Sequence, residues 1–274
     1  MRKLFFVIPF LISFADITAQ NLYDSTYSKQ FADYLIRTRQ YPLAIIELER
    51  LVFLQPLNDT LKTKLVRSYS LNKSHQQALV RIRSFSPDPL QLDSGLSSYY
   101  AYNLLADKQF LPASAFITST PAFSSERRLY YTAWNSLLQS DFKTASAILS
   151  APAANTPALI PLRQMADDGL NVKRKSPAIA TLMSVVIPGS GKFYAGEKKD
   201  AVVSFLTVGL MAFQAYRGFS KNGVKSTYGW IFGGLGGAFY IGNLYGSNHA
   251  AKRYNKRQLN NVNLRIEDSF YLHP

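Results

Sequence analysis

Ile187-Pro188-Gly189-Ser190-Gly191-Lys192-Phe193-Tyr194-Ala195-Gly196 breaks an otherwise helix-compatible apolar region with one proline and three glycines. The runs on either side, 178–187 and 201–216, contain no charged residue, and a third apolar run, 230–246, follows a basic loop. Short apolar helices joined by a breaker-rich turn carrying two aromatics and a lysine form the pattern of segments that enter a bilayer, turn and leave it. Pro188, Gly189, Gly191, Lys192, Phe193, Tyr194 and Gly196 are therefore the candidate membrane-turn residues. In lipid the backbone groups freed by such a turn have no water to bond, so the turn is expected either buried in protein or at head-group depth.

The lengths qualify that reading. Residues 177–187 make a helix of about 16 Å, against a hydrocarbon core of about 30 Å. Residues 201–216 and 230–246 reach about 24 and 26 Å, marginal spans that need a locally thinned bilayer. Small residues recur every fourth position in the last run, including Gly233, Gly237, Gly242 and Gly246. That spacing lets helices approach closely in lipid and offers a route to a homo-oligomer. Gln214 and Asn243 are placed to hydrogen-bond across helices.

The chain of 274 residues carries a net charge of +14, and its distribution decides what that means. Residues 20–170 hold 15 Lys+Arg against 12 Asp+Glu, while 171–274 hold 14 against 4. The excess lies beside the apolar runs, in Lys173-Arg174-Lys175, Lys198-Lys199, Lys252-Arg253 and Lys256-Arg257. This is the placement that meets anionic head groups, and it argues for membrane lipids and against nucleic acid as a partner.

Absence of cysteine removes disulfides, zinc thiolates and thiol nucleophiles together. His75, His249 and His273 have no ligand or triad spacing, so no metal, cofactor or catalytic group is expected. Gly189-Ser190-Gly191-Lys192 is not a phosphate loop: the first glycine of that motif falls on Val186, and Phe193 stands where a hydroxyl must ligate magnesium.

The first nineteen residues, with Arg2 and Lys3, an apolar run 4–14 and Ile17-Thr18-Ala19, read as a cleaved export signal. Residues 20–160 carry an aromatic or histidine three residues before an alanine, at Tyr41/Ala44, His75/Ala78, Phe110/Ala113 and Phe142/Ala145. The alanines are 34, 35 and 32 residues apart. This resembles the tetratricopeptide repeat, in which a small residue lets two antiparallel helices pack closely. The best copy covers 28–56; later copies depart from the family because Pro87, Pro121 and Pro152 arrive early. The resemblance implies a short helical-hairpin solenoid that holds a protein partner.

Residues 161–175 read as a linker helix and basic flank, 176–250 as a membrane module of two or three short helices, and 251–274 as a basic tail with a possible strand at 262–266. The module resembles a group of small bacterial membrane modules with a PGxGxFYxG-like turn, from which it departs at Lys192. That resemblance implies membrane residence and no reaction. The fold expected is all-α, a tetratricopeptide-like solenoid followed by a membrane-embedded helical module. The function expected is a noncatalytic, membrane-anchored scaffold of the bacterial envelope, with the repeats outside the inner membrane. The alternative is an accessory of membrane-protein insertion, export or lipid handling. Three crossings, the arrangement expected, would put the turn and the tail on the far side from the repeats, in weak agreement with the bias of basic residues; two crossings with a re-entrant first helix would leave both on the repeat side, against that bias.

Overall fold

Four turns of the same geometry punctuate the first part of the computed structural model, which describes residues 25–151 and 154–272. In each, a non-glycine residue adopts a left-handed conformation: Arg39, Lys73, Lys108 and Ser140, with φ of 59–60°. The following amide reaches back five residues, Gln40 to Leu35 (2.8 Å), Ser74 to Tyr69 (2.9 Å), Gln109 to Leu104 (2.8 Å) and Asp141 to Ser136 (2.9 Å). This closure satisfies carbonyls that a helix end leaves free and turns the chain into an antiparallel partner. Each αL residue precedes its alanine by five positions, so the turns repeat with the alanines. The export-signal reading lies outside the described residues.

The described residues form thirteen α-helices and no strand. They divide into two compact units between Phe85 and Ser86. The first holds α1 (Ser25–Arg37), α2 (Tyr41–Leu54), α3 (Asp59–Leu71) and α4 (His75–Phe85). Its core joins Ala32, Leu48, Leu51, Val52, Leu61 and Leu65. In α2 the buried set Ala44, Leu48, Leu51 and Val52 follows the helical period, and Pro42 sits in the first turn, where a missing amide costs nothing. Asn58 caps α3 by accepting from the Leu61 amide at 3.2 Å.

The second unit begins with α5 (Ser94–Ala106), α6 (Phe110–Ser119), α7 (Ser125–Leu138), α8 (Phe142–Leu149) and α9 (Ile160–Leu170). The side chains of Asp93, Ser124 and Asp141 cap α5, α7 and α8. It continues with α10 (Pro177–Val186), α11 (Ser190–Tyr194), α12 (Lys198–Asn222) and α13 (Thr227–Leu272).

At 46 residues α13 is about 69 Å long. Its first half packs on α10, α11 and α12, and its second half packs on α7 and α9. The expected tail and the possible strand at 262–266 are therefore replaced by helix. Val262, Ile266 and Phe270, four residues apart, are 6%, 1% and 3% exposed. Phe270 stacks on Tyr102 with centroids 4.8 Å apart and meets Trp134 edge-on at 5.1 Å. Tyr271 Oη donates to the Ala106 carbonyl at 3.3 Å, and Arg265 pairs with Asp168 at 3.1 Å. A short apolar run cannot by itself distinguish strand from helix; burial of one helical face against α7 and α9, with Phe270 reaching α5, decides it here. The unit boundary falls between the second and third hairpins rather than at 160, because α13 ties the later hairpins to the C-terminal helices.

Candidate functional site: a short helical hairpin packed on the long helix

Helix α10 starts beside the middle of α13. The Lys175 amide donates to Asn255 Oδ1 at 2.7 Å, and Asn255 Nδ2 returns a bond to the Lys175 carbonyl at 2.8 Å. From there α10 runs antiparallel to α13. Ser184 Oγ meets Ser247 Oγ at 2.7 Å, and Tyr240 Oη donates to the Val185 carbonyl at 2.7 Å. The Pro188-Gly189 turn then brings the Gly189 amide to Asn243 Oδ1 at 3.1 Å. Asn243 lies ten residues before Arg253 on α13, about 15 Å along its axis.

The chain then climbs back through α11. Tyr194 Oη accepts from the Ser176 amide at 3.3 Å, and Lys175 Nζ donates to the Tyr194 carbonyl. Residues 175–176 and 194 thus lie side by side, and α10 with α11 is a hairpin that returns to the end it left. Helix α12, about 37 Å of 25 residues, then runs the whole distance to the 223–226 turn. Helix α10, ten residues and about 15 Å, covers less than half of the length of α12. Among the described residues one helical stretch, Lys198–Lys225, is long and apolar enough to cross a membrane by length and composition.

The turn residues have separate tasks. Gly189 has φ +88°, and a Cβ there would stand 2.2 Å from the Ala201 carbonyl oxygen. At Gly191 a Cβ would lie 1.8 Å from the Ala180 carbonyl oxygen, and its amide donates to Ser184 Oγ at 2.9 Å. Gly196 has φ +87° with open space around it. Pro188 lines a shallow apolar crevice with Phe193, Val202 and Phe205. Phe193 is exposed, whereas the Tyr194 ring packs on Ala180, Ala195, Ala250 and Ala251. Lys192 lays its stem across Gly246, whose Cβ would stand 2.9 Å from Lys192 Cε, and donates to Ser204 Oγ at 2.7 Å.

Burial in this region is inverted. The interior holds Ala180, Ser184, Ala195, Ala201, Ala215, Asn243, Ser247, Ala250 and Ala251, whereas Leu182, Val186, Val203, Leu206, Phe213, Ile231 and Ile241 are exposed.

The glycines of α13 divide. Gly246 accommodates Lys192, and Gly233 lies 3.9 Å from the Phe219 ring. A Cβ at Gly237 or Gly242 would meet nothing within 4 Å among the described residues, so no close helix contact requires glycine there. Closest approach is made instead by Gly218 and Gly229: a Cβ on Gly218 would stand 2.7 Å from the Gly229 nitrogen. The 223–226 turn sets this register, with Ser226 Oγ accepting from the Gly229 amide at 2.9 Å. Neither Ser184 nor Ser247 stands out in the sequence, because serine inside an apolar run resembles an ordinary small residue.

Among the repeat residues Ala44, Ala78, Ala113 and Ala145 are fully buried and Phe142 is 6% exposed; Tyr41 and Phe110 are half-buried.

At the basic end of the helices Glu197 accepts from Arg253 at 3.0 and 2.7 Å and faces Arg257 at 3.7 Å. The Arg253 hydrogen bonds and charge hold the Glu197 carboxyl below the usual range, against the opposing effect of burial. Compared with known proteins, the chain matches no family, no curated sequence and no solved structure.

Proposed function

We infer that the chain is a noncatalytic, membrane-anchored scaffold of the bacterial envelope. The observation that carries this reading is the inverted burial of α10–α13. Large aliphatic and aromatic side chains face outward while serine, asparagine and alanine fill the interior. In water that distribution exposes a large contiguous apolar surface; in lipid it is the favourable one. The hairpin satisfies its irregular backbone internally, with Asn243 and Ser184 accepting from the Gly189 and Gly191 amides, as a break at membrane depth requires. At about 15 Å below the basic end, its turn reaches roughly the middle of a hydrocarbon core of about 30 Å.

In this arrangement α12 and the first half of α13 cross, and α10–α11 enters halfway and returns. The helical hairpins and the C-terminus then share one face with Lys173, Arg174, Lys175, Lys198, Lys199, Lys252, Arg253, Lys256 and Arg257, while Arg217, Lys221 and Lys225 lie on the other. The signal-like N-terminus assigns the hairpin face to the outside. The hairpins hold a protein partner. Tyr27, Phe31 and Tyr34, about half exposed along one face of α1, offer a helical stripe for it.

Protease protection on spheroplasts with tags at Gln20 and Pro274, together with carbonate extraction, tests the reading. Resistance to extraction with both tags cleaved is the expected result. Both tags protected would keep the two-crossing geometry and overturn the export assignment, in line with the bias of basic residues toward the cytoplasm. One tag cleaved and one protected, or release by carbonate, would overturn the arrangement.

A second reading, lipid handling by the C-terminal helices, is favoured by one observation: a cavity with polar walls opens on their apolar flank.

A further inference from the structure

Between α11, α12 and α13 lies a cavity of about 240 Å³ whose walls include Lys192, Val203, Ser204, Thr207, Phe239 and Asn243. Asn243 is 3% exposed. Its Oδ1 accepts from the Gly189 amide, which fixes the orientation of the side-chain amide, and its buried Nδ2 has no hydrogen-bond partner. Lys192 Nζ gives one bond to Ser204 Oγ, and among the described residues no carboxylate lies within salt-bridge distance of it. Glu197, the nearest acid along the chain, is hydrogen-bonded by Arg253, faces Arg257 and feels the Lys192 charge only beyond salt-bridge distance. The Lys192 cation therefore lines one partly apolar cavity with the Ser204 and Thr207 hydroxyls beside it, and the unpartnered Asn243 amide nitrogen lies buried behind its wall. Buried donors require acceptors, and a cation held among apolar helices requires a counter-charge.

We propose that this cavity binds the anionic oxygen head, carboxylate or phosphate monoester, of a single-chain membrane amphiphile. The inference rests on the membrane placement of α10–α13. At about 240 Å³ the cavity has room for a head group and the first carbons of one chain. Val203 and Phe239, 62% and 48% exposed, form apolar parts of its wall that reach the surface. The opening is therefore lateral and apolar, and the chain of the amphiphile lies along the exposed α12 face while its head reaches Lys192.

The test is photolabelling of the full-length protein, purified in mild detergent, with a diazirine-bearing palmitate mapped by peptide mass spectrometry. Labelling is expected within 203–208 and 238–243. Competition by oleate, by oleoyl lysophosphatidate, or by both supports the site and identifies a carboxylate or phosphate source; methyl oleate is expected not to compete. Lys192→Gln should lower labelling at least tenfold. Thr207→Leu, which fills the cavity while leaving the Asn243 and Lys192 hydrogen bonds in place, should do the same if Lys192→Gln fails to fold. Unchanged labelling in the folded variants, or equal competition by methyl oleate, would overturn the proposal. Carbonate extraction of the same protein from membranes separates the two inferences: a chain that stays in the membrane without Lys192-dependent labelling refutes the site alone, and one that is released refutes the membrane reading.

Discussion

At Gly191 one carbon decides whether α10 and α11 can close on each other. An alanine Cβ would overlap the Ala180 carbonyl oxygen at 1.8 Å, and backbone cannot step aside as a flexible side chain can. Gly191→Ala should cost about 3 kcal/mol or more. Gly196→Ala, which meets only the penalty of a left-handed φ, should cost about 1–2 kcal/mol. Thermal melts of the two variants in one detergent check the order. The αL residues of the hairpin turns give the opposite sign. Lys108 holds φ 59° with a Cβ, so Lys108→Gly should stabilise by about 0.5–1 kcal/mol, the strain relieved exceeding the added unfolded-state entropy. These positions were not legible in the sequence because Arg, Lys, Lys and Ser occupy them instead of glycine. Glu197 makes stability depend on pH. Its folded-state pKa is depressed, so its contribution is complete above the unfolded value near 4.5 and is lost as pH falls through the lower folded value. Melting temperature should fall with acidification in that window, and Glu197→Gln should remove this component of the slope.

Among the elements, α13 carries the largest consequence. It is both a partner of α12 and the clamp on the later hairpins, and Phe270 is the contact between them, 3% exposed between Tyr102 and Trp134. Phe270→Ala should cost about 3–5 kcal/mol, and hydrogen exchange should rise in the second half of α13 and in α5 and α7 while α12 stays protected. The first half of α13 was legible as an apolar helix. Its continuation was not: residues 252–261 are mostly basic and polar, and the sparse face of Val262, Ile266 and Phe270 has meaning only against the helices of the later hairpins and α9.

For the molecule as a whole, the proposal of two crossings and one re-entrant hairpin predicts that both ends of the mature chain are on one side. Replacement of 176–250 by an unrelated single-span anchor should leave partner binding by the hairpins intact if they act as a scaffold. Loss of that binding, measured by co-purification against the full-length chain, would favour the lipid-handling reading. The helical class and the four hairpin turns followed from apolar periodicity and a 32–35-residue spacing. The path of the C-terminal helices did not, because charge and length admit either two or three crossings.

Local chemistry was sufficient wherever a residue's role depends on its neighbours in sequence: buried alanines in the hairpins, glycines and proline in the turn, basic residues beside apolar runs. Tertiary structure decided what depends on register between helices. It set Asn243 against the Gly189 amide, Ser184 against Ser247, Lys192 over Gly246 and Gly218 against Gly229. It also left open space where a side chain at Gly237 or Gly242 would stand. Helical period specifies which face of one helix is apolar, but a shift of one turn along its partner moves every opposing pair by about 5.4 Å. Only packing of the 223–226 turn and of the α10–α11 hairpin fixes that shift.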